Sequence, residues 1–141
     1  MVSHPDSAGE VLIADNDRAV SALLTEVLLR AGLSARHAFD GDVAQRLARD
    51  PAVKVLVCDL DMPRLGGIEV LESLADLPAP PLTVVISGYL DAKVRERIDR
   101  LPFVRDVLRK PFDLLAFASR VHDLASAAGP DDAASAAPRP G

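Results

Sequence analysis

Three stretches, residues 11–14, 54–58 and 82–86, are almost unbroken in apolar side chains: VLIA, KVLVC and LTVVI. A strand with one wet face alternates apolar and polar residues, whereas a strand covered on both faces has no need to. Residues 35–38 and 106–108 complete a set of strand-length runs, and stretches with helical spacing separate them. A repeated β-α pattern calls for a parallel sheet with helices on both faces, and right-handed crossovers leave few ways to wind it. The expected fold is α/β, a doubly wound five-stranded parallel sheet in the flavodoxin-like order 2-1-3-4-5.

The first helical stretch places Val20, Leu23, Leu24, Val27, Leu28 and Ala31 at spacings of three and four. Gly32 follows where a helix end often needs a left-handed residue, and Asp17 reads as its N-terminal cap. Leu114, Phe117, Ala118, Val121, Leu124 and Ala125 repeat the pattern late in the chain. Val43, Leu47 and Ala48 mark a shorter helix, and Ile68, Leu71, Leu74 and Ala75 another that ends before Pro78. Over residues 92–101 only Val94, Ile98 and Leu101 face inward, against six charged residues. That helix is expected to be the least firmly held and a candidate moving part.

At 141 residues the chain is the size of one domain and can bury a core without staples. Residues 10–126 are expected to form that domain. Residues 1–9 and the tail 127–141, rich in small residues and proline, are expected to be flexible and disordered. The single cysteine, Cys58, sits among apolar neighbours and reads as a buried structural thiol. No apolar run is long enough to span a bilayer, and the start lacks the pattern of a secretion signal, so a cytoplasmic protein with no membrane partner is expected. The formal charge of −5 argues against direct nucleic-acid binding. Arg95, Arg97, Arg100, Arg105 and Arg109 are interleaved with Glu96, Asp99 and Asp106, which reads as a solvated helix face.

Chemistry gathers at the strand ends. Asp15-Asn16-Asp17 follows the first run, Asp59 the third, and Lys110-Pro111 the fifth. In a parallel sheet the loops after the strands open on one edge, where two acids and a lysine can converge as a magnesium-dependent phosphate site. Lys110 is one of only three lysines against thirteen arginines.

VLIADND at the first strand, VLVCDLDMPRLGG at the third, VVISG at the fourth and VLRKPF at the fifth together resemble the receiver domain of two-component response regulators, in a stand-alone, chemotaxis-regulator-like form. The resemblance runs over roughly residues 10–125. It implies that Asp59 accepts a phosphoryl group from a phosphohistidine on a sensor histidine kinase or histidine phosphotransfer protein, and that an unknown downstream protein reads the change by contact. It also implies Mg²⁺ held by Asp59, the side chain of Asn16, the backbone carbonyl of Asp61 and, more remotely, Asp15. Lys110, whose peptide bond to Pro111 would be cis, and the hydroxyl of Ser87 would meet the phosphoryl group. Asp61 and Tyr89 occupy the two positions that tune phosphate lifetime. Gly88 would keep access open, and Gly67 would permit the turn into the third helix. No enzyme activity is implied beyond self-phosphorylation and slow self-dephosphorylation.

Three positions depart from the family pattern. Asn16 stands where an aspartate usually binds the metal, which removes one negative charge and should weaken Mg²⁺ binding. Val107 stands where responsive members commonly carry Tyr or Phe that swings inward; valine cannot make that swing, and Phe103 and Tyr89 sit elsewhere. Gly66 replaces a frequent acid. Asn16 and Val107 favour an alternative, a degenerate receiver that binds a partner without phosphorylation. A haloacid-dehalogenase-type phosphatase, suggested by Asp59-Leu60-Asp61, has its acids in the opposite order along the chain.

Overall fold

The computed structural model describes residues 10–62 and 65–127; the expected flexible start at 1–9 and the tail beyond residue 127 lie outside these. The elements are β1 (Glu10–Ala14), α1 (Arg18–Arg30), β2 (Ala35–Ala38), α2 (Gly41–Ala48), β3 (Val53–Asp59), α3 (Gly67–Ser73), β4 (Leu82–Ser87), α4 (Ala92–Asp99), β5 (Val104–Arg109) and α5 (Leu114–Ala127). All strand pairs are parallel, in the expected order 2-1-3-4-5.

The continuous apolar runs are explained by two cores. Val55 and Val57 of β3 face α1 and α5, with Val11, Ile13, Val84, Ile86, Leu24, Leu28 and Phe117. Their neighbours Leu56 and Cys58 face α2, α3 and α4, with Leu12, Val85, Ala44, Leu71 and Ile98. Successive residues of one strand thus feed opposite layers. Cys58 is buried, and burial pushes its thiol pKa up, as a structural thiol requires.

Helix α1 starts and stops as its sequence dictates. The Asp17 carboxylate accepts from the backbone N–H of Ala19 and Val20 at 2.9 and 3.1 Å. At the other end Gly32 takes φ +86°, its N–H donates to Leu29, and the N–H of Leu33 donates to Leu28. One residue of the expected stripe falls elsewhere: Leu23 is 49% exposed, whereas Ser21 is buried. The reason is His37 on β2, whose Nδ1 bonds the Ser21 hydroxyl and whose Nε2 lies 3.1 Å from the Thr25 hydroxyl.

Thr25 donates its own proton to the Ser21 carbonyl at 2.8 Å, so His37 Nε2–H donates to Thr25 and Nδ1 accepts from Ser21. That network takes the neutral ring, and burial pushes the His37 pKa below its ordinary 6.5. With the folded-state pKa depressed, the stabilisation is complete above 6.5 and is lost as the pH falls through the folded value. Denaturant unfolding across mildly acidic pH should show this decline, and His37→Asn should flatten it. A decline of the same size in the variant would assign it to other groups.

The second outcome that differs from expectation is β5, which runs from Val104 to Arg109 rather than over three residues. It is one of the sheet's two edge strands, so half-exposed charged residues fit it without loss. Among the described residues no helix is long and apolar enough to cross a membrane.

Candidate functional site

Strand register builds the site. Ala14 pairs with Cys58, Asp59 with Ile86, and Ser87 with Arg109, so the ends of β1, β3, β4 and β5 lie within two residues of one level. The residue after each end, or the last one in it, is then Asp15, Asp59, Ser87 or Lys110. The backbone N–H of Lys110 donates to the Ser87 carbonyl at 3.0 Å, and that of Asp15 to Ala38 at 3.0 Å, extending the sheet into the site.

Asp59 is buried. One carboxylate oxygen accepts from the backbone N–H of Asp61 at 2.9 Å, and the other from Lys110 Nζ at 3.0 Å. The bond between Lys110 and Pro111 is cis, as expected. Burial alone would push the Lys110 pKa down, but the hydrogen bond to Asp59 and the charges of Asp59, Asp15 and Asp61 outweigh it, and the pKa is raised. Lys110 is therefore a firm cation.

Asp15 is buried beside this pair. Its Oδ1 accepts from the Asp17 N–H at 2.8 Å, while its Oδ2 has no hydrogen-bond partner. Burial raises the Asp15 pKa, the Asp17 N–H opposes this, and the charge of Asp59 adds to it. A buried, unpartnered carboxylate oxygen is expensive unless something positive completes it. Asn16 and Asp61 are exposed on the same edge. Among the described residues no three His, Cys, Asp or Glu side chains are disposed to hold a metal together. Two carboxylates with an amide and a backbone carbonyl are a set of hard oxygens, which suits Mg²⁺ and no softer metal.

Two of the expected residues, Ser87 and Gly67, differ in detail. The Ser87 hydroxyl is buried but turned away to its own loop, donating to the Tyr89 carbonyl at 2.6 Å and accepting from the Tyr89 N–H at 3.1 Å. Tyr89 is 75% exposed. A Cβ at Gly88 would meet nothing within 4 Å, so space does not demand glycine there. At Gly67 it does: a Cβ would lie 2.5 Å from the Asp59 carbonyl oxygen and 2.6 Å from the Leu60 Cα. The requirement is close approach of α3 to the acidic strand end, not only the turn.

Sequence reasoning missed one polar link nearby. Arg97 of α4, read as part of a solvated face, forks onto Glu72 of α3 at 2.6 and 2.9 Å. No short-range signal marks a pair twenty-five residues apart.

The sequence matches the family model for the response regulator receiver domain over residues 11–122. It is 37% identical over 129 residues to the response regulator MprA of Mycobacterium leprae, covering 88% of this chain and 54% of that protein. It is 23% identical over 110 residues to an uncharacterized transcriptional regulatory protein, YcbL, of Bacillus subtilis, covering 78% of this chain and 48% of the other. The chain thus spans about half the length of these curated relatives, and its charge balance bears on its own residues alone. Among solved structures, the receiver domain of the Francisella response regulator 1452 superposes with a TM-score of 0.75 at 27% identity, covering 84% of this chain and 97% of that one.

Proposed function

The chain belongs to the response regulator receiver domain family, and from that premise we propose that Asp59 is its phosphoacceptor. The observation that carries this is the Asp59–Lys110 pair at 3.0 Å beside the unpartnered oxygen of Asp15. A nucleophilic carboxylate, a firm cation and an unsatisfied anion meet at one strand edge. In the reaction, a carboxylate oxygen of Asp59 attacks phosphorus, the P–N bond to a donor histidine breaks, and the imidazole leaves with the bond pair. Lys110 Nζ neutralises a phosphoryl oxygen. Ser87 must give up the Tyr89 carbonyl to donate to another. Asp59, the Asn16 amide oxygen, the Asp61 carbonyl and, more remotely through water, Asp15 would hold Mg²⁺, which would supply the charge that lets an anion accept an anionic group.

The donor is a sensor histidine kinase or a histidine phosphotransfer protein, which puts the domain in the cytoplasm. A downstream protein reads the altered surface, and Asp61 and Tyr89 set how long the acyl phosphate survives. A second reading, a receiver that binds its partner without phosphate, is favoured by Asn16 and by Val107 in place of an aromatic residue.

The test is intact-mass measurement after incubation with a small phosphodonor and Mg²⁺. One phosphate on the wild type and none on Asp59→Ala is the expected result. No phosphate on the wild type at any Mg²⁺ level, with uptake gained in Asn16→Asp, would replace the first reading with the second.

A further inference from the structure

Helix α4 is weakly attached to the sheet by apolar contact. Ile98 is its only buried residue, and Val94 packs half-buried against the same core. Its polar attachment is specific. The Arg97 guanidinium places Nε and one terminal nitrogen on the two oxygens of Glu72, and that terminal nitrogen also lies 3.7 Å from Glu69. Planar two-point pairing of this kind fixes orientation as well as distance. It also lowers the Glu72 pKa and raises that of Arg97.

Both acids lie on α3, and α3 rests on the phosphoacceptor strand. The Gly67 N–H donates to the Leu60 carbonyl at 3.2 Å, and Gly67 sits too close to the Asp59 carbonyl for any side chain. One residue earlier, a Cβ at Gly66 would lie 2.6 Å from a Glu69 carboxylate oxygen, so Glu69 folds back over the turn that enters the helix. Each step from the backbone of Asp59 to Arg97 is therefore a contact: Gly67, then a turn of α3 bearing Glu69 and Glu72, then the guanidinium. Val107, half-buried on β5, offers no aromatic ring to the core it shares with Ile98 and Val94.

We propose that Arg97, Glu69 and Glu72 form a clasp through which phosphorylation of Asp59 repositions α4. The coupling rests on the phosphoacceptor reading above; the clasp itself does not. Movement of the chain at Asp59 and Leu60 is transmitted to α3 by close contact at Gly67. With so little apolar surface of its own on the core, α4 follows Glu72.

Hydrogen exchange of α4 backbone amides, read by mass spectrometry on the full chain, tests both parts. In unphosphorylated Arg97→Ala, α4 should exchange about two- to fivefold faster than in the wild type, the range expected for loss of an exposed ion pair. Sheet amides should be unchanged. With a small phosphodonor and Mg²⁺, both proteins should take up phosphate equally, but only the wild type should change its α4 exchange. The charge swap Arg97→Glu with Glu72→Arg should restore the response. A phosphorylated Arg97→Ala whose α4 responds like the wild type overturns the coupling, and unaltered exchange in the unphosphorylated variant overturns the clasp. Absence of phosphate on the wild type and on Asn16→Asp defeats the phosphoacceptor reading and the coupling with it, and leaves the clasp to be judged on the unphosphorylated comparison.

Discussion

Replacing Asn16 with aspartate should tighten Mg²⁺ binding about ten- to a hundredfold and leave the fold as it is. Residue 16 is exposed beside Asp15, whose buried Oδ2 has no partner. Two unit charges 4 Å apart near a protein surface attract by about 4 kcal/mol, and loss of water from the new carboxylate cancels much of that. A remainder of about 1.4 to 2.8 kcal/mol gives the stated range. Asp17 already serves as the cap of α1, with one carboxylate oxygen accepting from the N–H groups of Ala19 and Val20. Titration calorimetry with MgCl₂ measures the change directly. Affinities within twofold of each other would show that position 16 does not ligate the ion.

Phe117→Ala should cost about 3 to 5 kcal/mol of unfolding free energy, a large part of the 5 to 15 kcal/mol that such a domain holds. Phe117 is 1% exposed and belongs to the core that α1 and α5 form with the sheet. Its ring also meets Phe112 at 5.7 Å between centroids, tilted by 51°. Phe112 follows Lys110-Pro111 directly, so the ring of Phe117 backs the turn that aims the ammonium at Asp59. Urea unfolding followed by circular dichroism should show the loss. A change below about 1 kcal/mol would mean that the site collapses around the cavity far more readily than buried aromatic sites do.

The strands legible in the sequence were those whose burial on both sides leaves an unbroken apolar run, β1, β3 and β4. Gly32 and Asp17 were legible because helix ends impose local chemistry on single residues. Leu23 falls outside the buried stripe and Ser21 inside it because His37, sixteen residues from Ser21 and on β2, supplies the partner that lets a serine be buried. The full length of β5 was hidden by Arg105, Asp106 and Arg109, which an edge strand tolerates and a central one would not. At the site, residue identities came from motif resemblance. Side-chain aim did not: the Ser87 hydroxyl has several local partners within reach of its turn and takes Tyr89, and the fork of Arg97 depends on the packing of separate segments.

The vacant hydrogen-bonding side of Asp15 makes this domain an accountant of its surroundings. Burial raises the Asp15 pKa, so this residue favours the fold fully below its unfolded value of 3.8 and withdraws that favour as pH rises through the folded value. Wherever the pH leaves Asp15 ionised, the native chain holds that charge in a place that penalises it, and a cation bound against its free oxygen would offset the penalty. If Mg²⁺ does bind there, it would stabilise the folded chain as well as prepare the site, and thermal unfolding with and without MgCl₂ would read the two together.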